Sequence, residues 1–109
     1  MTSEIVARWL VAFAITQIVE CPIYVRGFGV TLRRAFLASA ITHPIVTLAM
    51  FAAPSASFVV VGLVAEVFAV LFEAWWIRRH TRRALVASVV ANVASSALGG
   101  VVYLLTGWP

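Results

Sequence analysis

The chain has 109 residues, of which 63% are hydrophobic and only 11% charged, with a mean hydropathy of +1.05; soluble domains carry roughly 25% charged residues. A water-soluble globule of this size has no interior large enough to hide so much apolar surface, so lipid is the expected solvent and a single domain over residues 1–109 the expected organisation. The basic residues are all arginine and the acids all glutamate, with a net charge of +4. All but Arg8 of the arginines lie in two short loops beside apolar runs, so anionic lipid headgroups, and not nucleic acid, are the expected partner of that charge.

The start, Met-Thr-Ser-Glu, lacks the basic stretch of a secretory signal, and the first apolar run reads as a retained helix from Ile5 to Val25. Cys21 is the only cysteine, which excludes an intrachain disulfide, and the acidic Glu20 before it argues against a lipoprotein cleavage site. Further runs predict helices from Ala35 to Ala53, Phe58 to Ile77 and Ala84 to Leu105. Each is close to the ~20 residues that cross ~30 Å of hydrocarbon. The fold class expected is therefore all-α, a bundle of four transmembrane helices.

The connections differ in charge. Arg26, Arg33 and Arg34 occupy the first and Arg78, Arg79, Arg82 and Arg83 the third, while the second, Pro-Ser-Ala-Ser, has none. The positive-inside rule places the first and third in the cytoplasm and both termini outside. Trp9 and Trp108 then mark one interface and Trp75 and Trp76 the other. Together with an Arg, Ala and Val bias of bacterial type, this predicts a multi-pass protein of the bacterial inner membrane.

The segment RAFLASAITH from Arg34 to His43 aligns without gaps to RALVASVVAN from Arg83 to Asn92, and a shorter second basic loop brings Glu20 into register with Glu73. This is the pattern of a parallel two-plus-two repeat, in which sites form at the repeat interface.

Ionisable groups inside lipid are expensive, so Glu20, His43, Glu66 and Glu73 each need an account. Helical spacing gives every span one polar or small-residue stripe: Gln17, Glu20 and Tyr24; Ser39, His43 and Thr47, with Thr42 adjacent; Gly62, Glu66, Ala69 and Glu73; and Ser88, Asn92, Ser95 and Gly99. Packing all four stripes inward removes them from lipid and lets small residues bring backbones together. Glu20, His43, Glu66, Glu73 and Asn92 are thus the candidate ion-binding residues, in the cytoplasmic half, with Gln17, Tyr24, Ser39, Thr42, Ser88 and Ser95 as polar support. Pro22 and Pro44 free the carbonyls of Ile18 and Ala40 near this cluster; a plain kink satisfied by Ser39 or another hydroxyl is the simpler account.

Carboxylates with an imidazole suit a proton or a cation, and His43 with Glu66 are the residues a metal would use, although no HExxH or CxxC spacing is present. The expected role is that of a transport-related or accessory subunit. Two alternatives stand beside it. The Glu66–His43 pair is a structural clasp in a purely structural subunit, or Ser39 and His43, four residues apart on one helix, form part of an intramembrane enzyme. No oxyanion hole or nucleophile elbow accompanies that serine, so no catalytic residue is assigned. A bundle this thin encloses no wide pore, which makes a homo-oligomer or a larger membrane-protein partner the expected context.

The motifs E-x-P-x-Y at Glu20 to Tyr24, T-H-P at Thr42 to Pro44, the two glutamates of the third helix and A-N-x-x-S-S at Ala91 to Ser96 resemble those of small uncharacterised bacterial four-helix membrane proteins. That resemblance spans the chain and implies the four-helix architecture alone.

Overall fold

A computed structural model describes residues 2–52 and 57–109, with backbone only for Phe51 and Phe58. It is all-α: α1 (Ser3–Pro22), α2 (Leu32–Ala52), α3 (Phe58–Ile77) and α4 (Ala84–Thr106), with a π-helical turn over Ile23–Gly27 after α1. Each helix packs on its neighbours in sequence, and α1 closes the ring against α4. The bundle measures 38 × 24 × 23 Å, long enough for the ~30 Å hydrocarbon layer. Among the described residues three stretches, Ser3–Gly27, Val59–Ile77 and Ala84–Thr106, are each long and apolar enough to cross a membrane.

Local chemistry sets the ends of the helices. Thr2 caps α1, its hydroxyl accepting from the Ile5 N–H at 3.2 Å. The sequence predicts regular helix to Val25, but Pro22 has no N–H to continue the ladder, and the chain widens into the π turn instead. Gly29, at φ +72°, then reverses the chain in a conformation that L side chains rarely adopt. Thr31 receives the Arg34 N–H at 3.3 Å and starts α2 three residues before the predicted Ala35. Arg33 and Arg34 consequently stand in the first turn of a helix and not in a loop. The predicted end of this helix at Ala53 and the Pro-Ser-Ala-Ser turn fall wholly or largely outside the described residues. α4 stops at Gly107, whose N–H bonds the Tyr103 carbonyl at 2.7 Å in the left-handed cap conformation.

Burial is concentrated at the arginine end. Tyr24, Val30, Ala35, Ala38, Ile77, Ala87 and Ala91 form the core there, whereas large apolar side chains such as Ile18, Leu48, Val59, Leu63, Leu104 and Leu105 point outward. That is the outside-in pattern of a protein whose solvent is lipid. Alanine at Ala38 and Ala87, both fully buried, lets the backbones of α2 and α4 come close to their neighbours. The two aligned segments also match in burial: Ala38, Ser39 and Thr42 are covered in one, Ala87, Ser88 and Ala91 in the other.

Candidate functional site

Directly above this core the four polar stripes meet around one cavity of about 160 Å³. Its walls include Glu20 from α1, His43 from α2, Glu66 and Glu73 from α3 and Asn92 from α4, so the five residues singled out in the sequence lie around a common space.

Glu20 and Glu73 form its floor, 2% and 1% exposed respectively. Ser39 Oγ donates to Glu20 Oε1 at 2.8 Å and Ser95 Oγ to Glu20 Oε2 at 2.6 Å. Tyr24 Oη donates to Glu73 Oε1 at 2.7 Å, Asn92 Nδ2 to the same oxygen at 3.3 Å, and Thr42 Oγ1 to Glu73 Oε2 at 2.9 Å. The network draws on every helix. Both carboxyl groups line the same cavity, Glu20 from α1 and Glu73 from α3. No ion pair relieves them: among the described residues the single salt bridge is Arg8–Glu4, at the opposite end of the bundle.

Two hydroxyls in the network have a second acceptor. Thr42 Oγ1 lies 3.1 Å from the Ala38 carbonyl as well as 2.9 Å from Glu73. Ser95 Oγ lies 3.2 Å from the Asn92 carbonyl as well as 2.6 Å from Glu20. Each hydroxyl has one hydrogen and can serve one acceptor fully at a time. Ser88 is engaged differently, donating to the Val70 carbonyl at 2.7 Å, and Asn92 Nδ2 also reaches the Ser88 carbonyl at 2.9 Å.

The Glu66–His43 hydrogen bond on which the structural-clasp alternative rests is not formed. Glu66 Oε1 accepts from Ser96 Oγ at 3.1 Å, and the buried Nδ1 of His43 has no partner. His43 instead packs edge-on against Trp9 and Phe13, ring centroids 5.7 and 5.5 Å away. The reason is rotational: the face of α2 that carries Ser39 and Thr42 points at the two deep carboxyls, which turns His43 toward α1. The Ser39 hydroxyl is likewise committed to Glu20 and not to His43 or to a carbonyl freed by proline. Gln17 lies outside the cavity, donating to the Phe36 carbonyl at 3.2 Å and accepting from the Cys21 thiol at 3.1 Å. Among the described residues no three of His, Cys, Asp or Glu are arranged to hold a metal. Sequence reasoning passed over two polar lining residues, Thr16 and Ser96; each is four residues from a candidate or lies across from one, a helical spacing that could have drawn them in.

A second cavity of about 520 Å³ lies between α1 and α2 toward the chain termini, with Arg8, Trp9, Met50 and Pro109 in its wall. It shares His43 and Val46 with the first, so His43 stands where the two spaces adjoin. No protein family, curated protein or solved structure matches the chain.

Proposed function

We propose that the chain is a small multi-pass membrane protein that takes up and releases a proton at the Glu20–Glu73 pair, as a transport-related unit or an accessory subunit of a larger membrane complex. One observation carries the reading: two carboxyls, almost fully buried on the floor of one cavity, are held by neutral donors, and among the described residues neither has a cationic partner. Two negative charges in so small a space away from water are far too costly to stand alone, and a proton is the smallest counter-charge that fits between them. The double-faced hydroxyls account for how the site tolerates either charge state. When a carboxylate oxygen is bare, Thr42 or Ser95 donates to it. When that oxygen carries a proton, the hydroxyl turns to its backbone carbonyl and accepts the proton's hydrogen bond. No heavy atom has to move.

The larger cavity supplies an approach from the end of the bundle that bears the termini, and His43, with an unpaired buried nitrogen, is the relay between the two spaces. In this reading α2 also spans, the arginine end faces the cytoplasm of a bacterial inner membrane, and both termini lie outside. The matched burial of Ser39 and Ser88 supports a two-plus-two repeat whose halves each bring one glutamate to the shared floor. A bundle 24 Å by 23 Å across leaves no room for a wide path, so any transported solute passes at an interface with a second copy or a partner.

Infrared difference spectroscopy of the protein in liposomes tests the proton. A protonated-carboxyl carbonyl band that shifts in heavy water and fades with rising pH is expected in the wild type, and it is expected to vanish in Glu20→Gln/Glu73→Gln while persisting in Glu66→Gln. A band indifferent to the double substitution refutes the reading. Displacement of the band by an added cation at fixed pH identifies that cation as the occupant.

Orientation has its own check. In a Cys21→Ser background, Thr81→Cys is expected to react with an impermeant maleimide only after the cytoplasmic side is opened, and Thr2→Cys from the outside of intact cells. Labelling of both from one side is incompatible with four spans.

A further inference from the structure

The arginine end of the bundle has no acidic counterpart of its own. All four glutamates are accounted for elsewhere: Glu4 pairs with Arg8, Glu20 and Glu73 are held by neutral donors, and Glu66 accepts from Ser96. Seven guanidinium groups are therefore left without a carboxylate. Most lie on open surface, but Arg33 and Arg34 converge on a cleft of about 400 Å³ between the first turn of α2 and the end of α3, walled also by Thr31, Leu37, Trp76 and His80.

This cleft is built and not merely charged. The Trp76 indole N–H donates to the Arg34 carbonyl at 3.1 Å, and the Arg34 guanidinium lies over the Trp76 ring, 4.3 Å from its centroid. A guanidinium held over a ring makes no hydrogen bond to it, so its N–H groups stay available, and their fork matches the spacing of two phosphate oxygens. By contrast the Arg78 guanidinium, over Trp75, spends an N–H on the Trp75 carbonyl at 2.7 Å. Thr31 and His80 add further hydrogen-bonding groups, while Leu37 and Trp76 give the cleft an apolar wall. Its volume is more than ten times the ~30 Å³ of a water molecule, and it sits where α2 begins and α3 ends, the level at which the membrane-spanning reading puts the headgroups.

We infer that this cleft binds the phosphate group of an anionic phospholipid, with Arg33 and Arg34 gripping the phosphate oxygens and the Trp76–Leu37 wall carrying the glycerol end of the lipid. The site is independent of the proton reading, because it shares no residue with the Glu20–Glu73 cavity.

Native mass spectrometry of the full chain in neutral detergent provides the test, titrating phosphatidylglycerol against phosphatidylcholine. The wild type is expected to retain phosphatidylglycerol preferentially, and Arg33→Gln/Arg34→Gln to weaken that retention roughly tenfold or more, the scale of a lost charge-assisted hydrogen bond. Arg26→Gln/Arg82→Gln removes the same charge at other exposed positions and is expected to keep most of the affinity. Arg33→Gln alone, at an exposed residue that braces nothing else, serves if the double variant does not fold. Equal losses in the two double variants would reduce the effect to general surface charge and overturn the site. So would equal retention of phosphatidylcholine, or displacement of the lipid by inorganic phosphate at matching concentration, which would assign the cleft to a soluble phosphate.

Discussion

Replacing Glu73 with leucine is expected to destabilise the bundle in detergent by about 2–4 kcal/mol, while glutamine at the same position costs less than about 1 kcal/mol. The difference lies in what each substitution leaves unpaired. Three donors converge on Glu73, but two have somewhere else to turn: Thr42 to the Ala38 carbonyl and Asn92 to the Ser88 carbonyl. Tyr24 depends on Glu73 most, since it is fully buried and its bond to Glu73 Oε1, at 2.7 Å, is the shortest of the three. Leucine therefore orphans a phenolic hydroxyl in the core, whereas glutamine preserves an oxygen for it and mimics a protonated carboxyl. Adding Tyr24→Phe to the leucine variant is expected to recover most of the loss, which a double-mutant cycle by thermal unfolding measures. A leucine variant as stable as wild type, or no recovery with phenylalanine, would show that this network does not brace the bundle.

The second large effect concerns packing. Ala38→Leu and Ala87→Leu are each expected to lose about 1–3 kcal/mol, or to fail to fold, because both alanines are fully covered and the added carbons have no space to enter. Ala97→Leu, on the exposed face of α4, is the control and is expected to be neutral. Similar losses at Ala38 and Ala87 are what two alike helix pairs predict; a silent result at either position would contradict the close approach seen there. Unfolding in detergent with equal expression levels decides between them.

Much of the architecture was legible in the sequence because lipid simplifies the code: long apolar runs become helices, and arginines collect at their ends. The polar stripes at three- and four-residue spacing also brought Glu20, His43, Glu66, Glu73 and Asn92 around one cavity. Spacing along a helix fixes which residues share a face, but not how far that face is rotated against its neighbours. A modest rotation of α2 therefore separates the Glu66–His43 pairing of the clasp alternative from the observed contacts, in which Ser39 and Thr42 meet the carboxyls of two different helices. The donors that hold Glu20 and Glu73, among them Tyr24, Ser95 and Asn92, come from other helices, which no spacing along one helix specifies for either residue. The π turn was a consequence of Pro22 that the hydropathy pattern could not carry, since a widened helix and a regular one can be equally apolar.

The closed ring of contacts has a bearing on chain connectivity. Arg8 donates to the Gly107 carbonyl at 3.3 Å and lies 4.8 Å from the centre of the Trp108 ring, so the two ends of the sequence meet on the same side of the bundle. Every neighbouring pair of helices touches, including the first with the last. The order in which the chain visits the helices is thus nearly a matter of indifference to the packing. A short splice between the ends, with a new opening between α2 and α3, would yield a circularly permuted polypeptide that runs α3, α4, α1, α2 and retains every interface. Such a molecule would separate what the sequence order contributes to membrane insertion from what the finished packing contributes to stability.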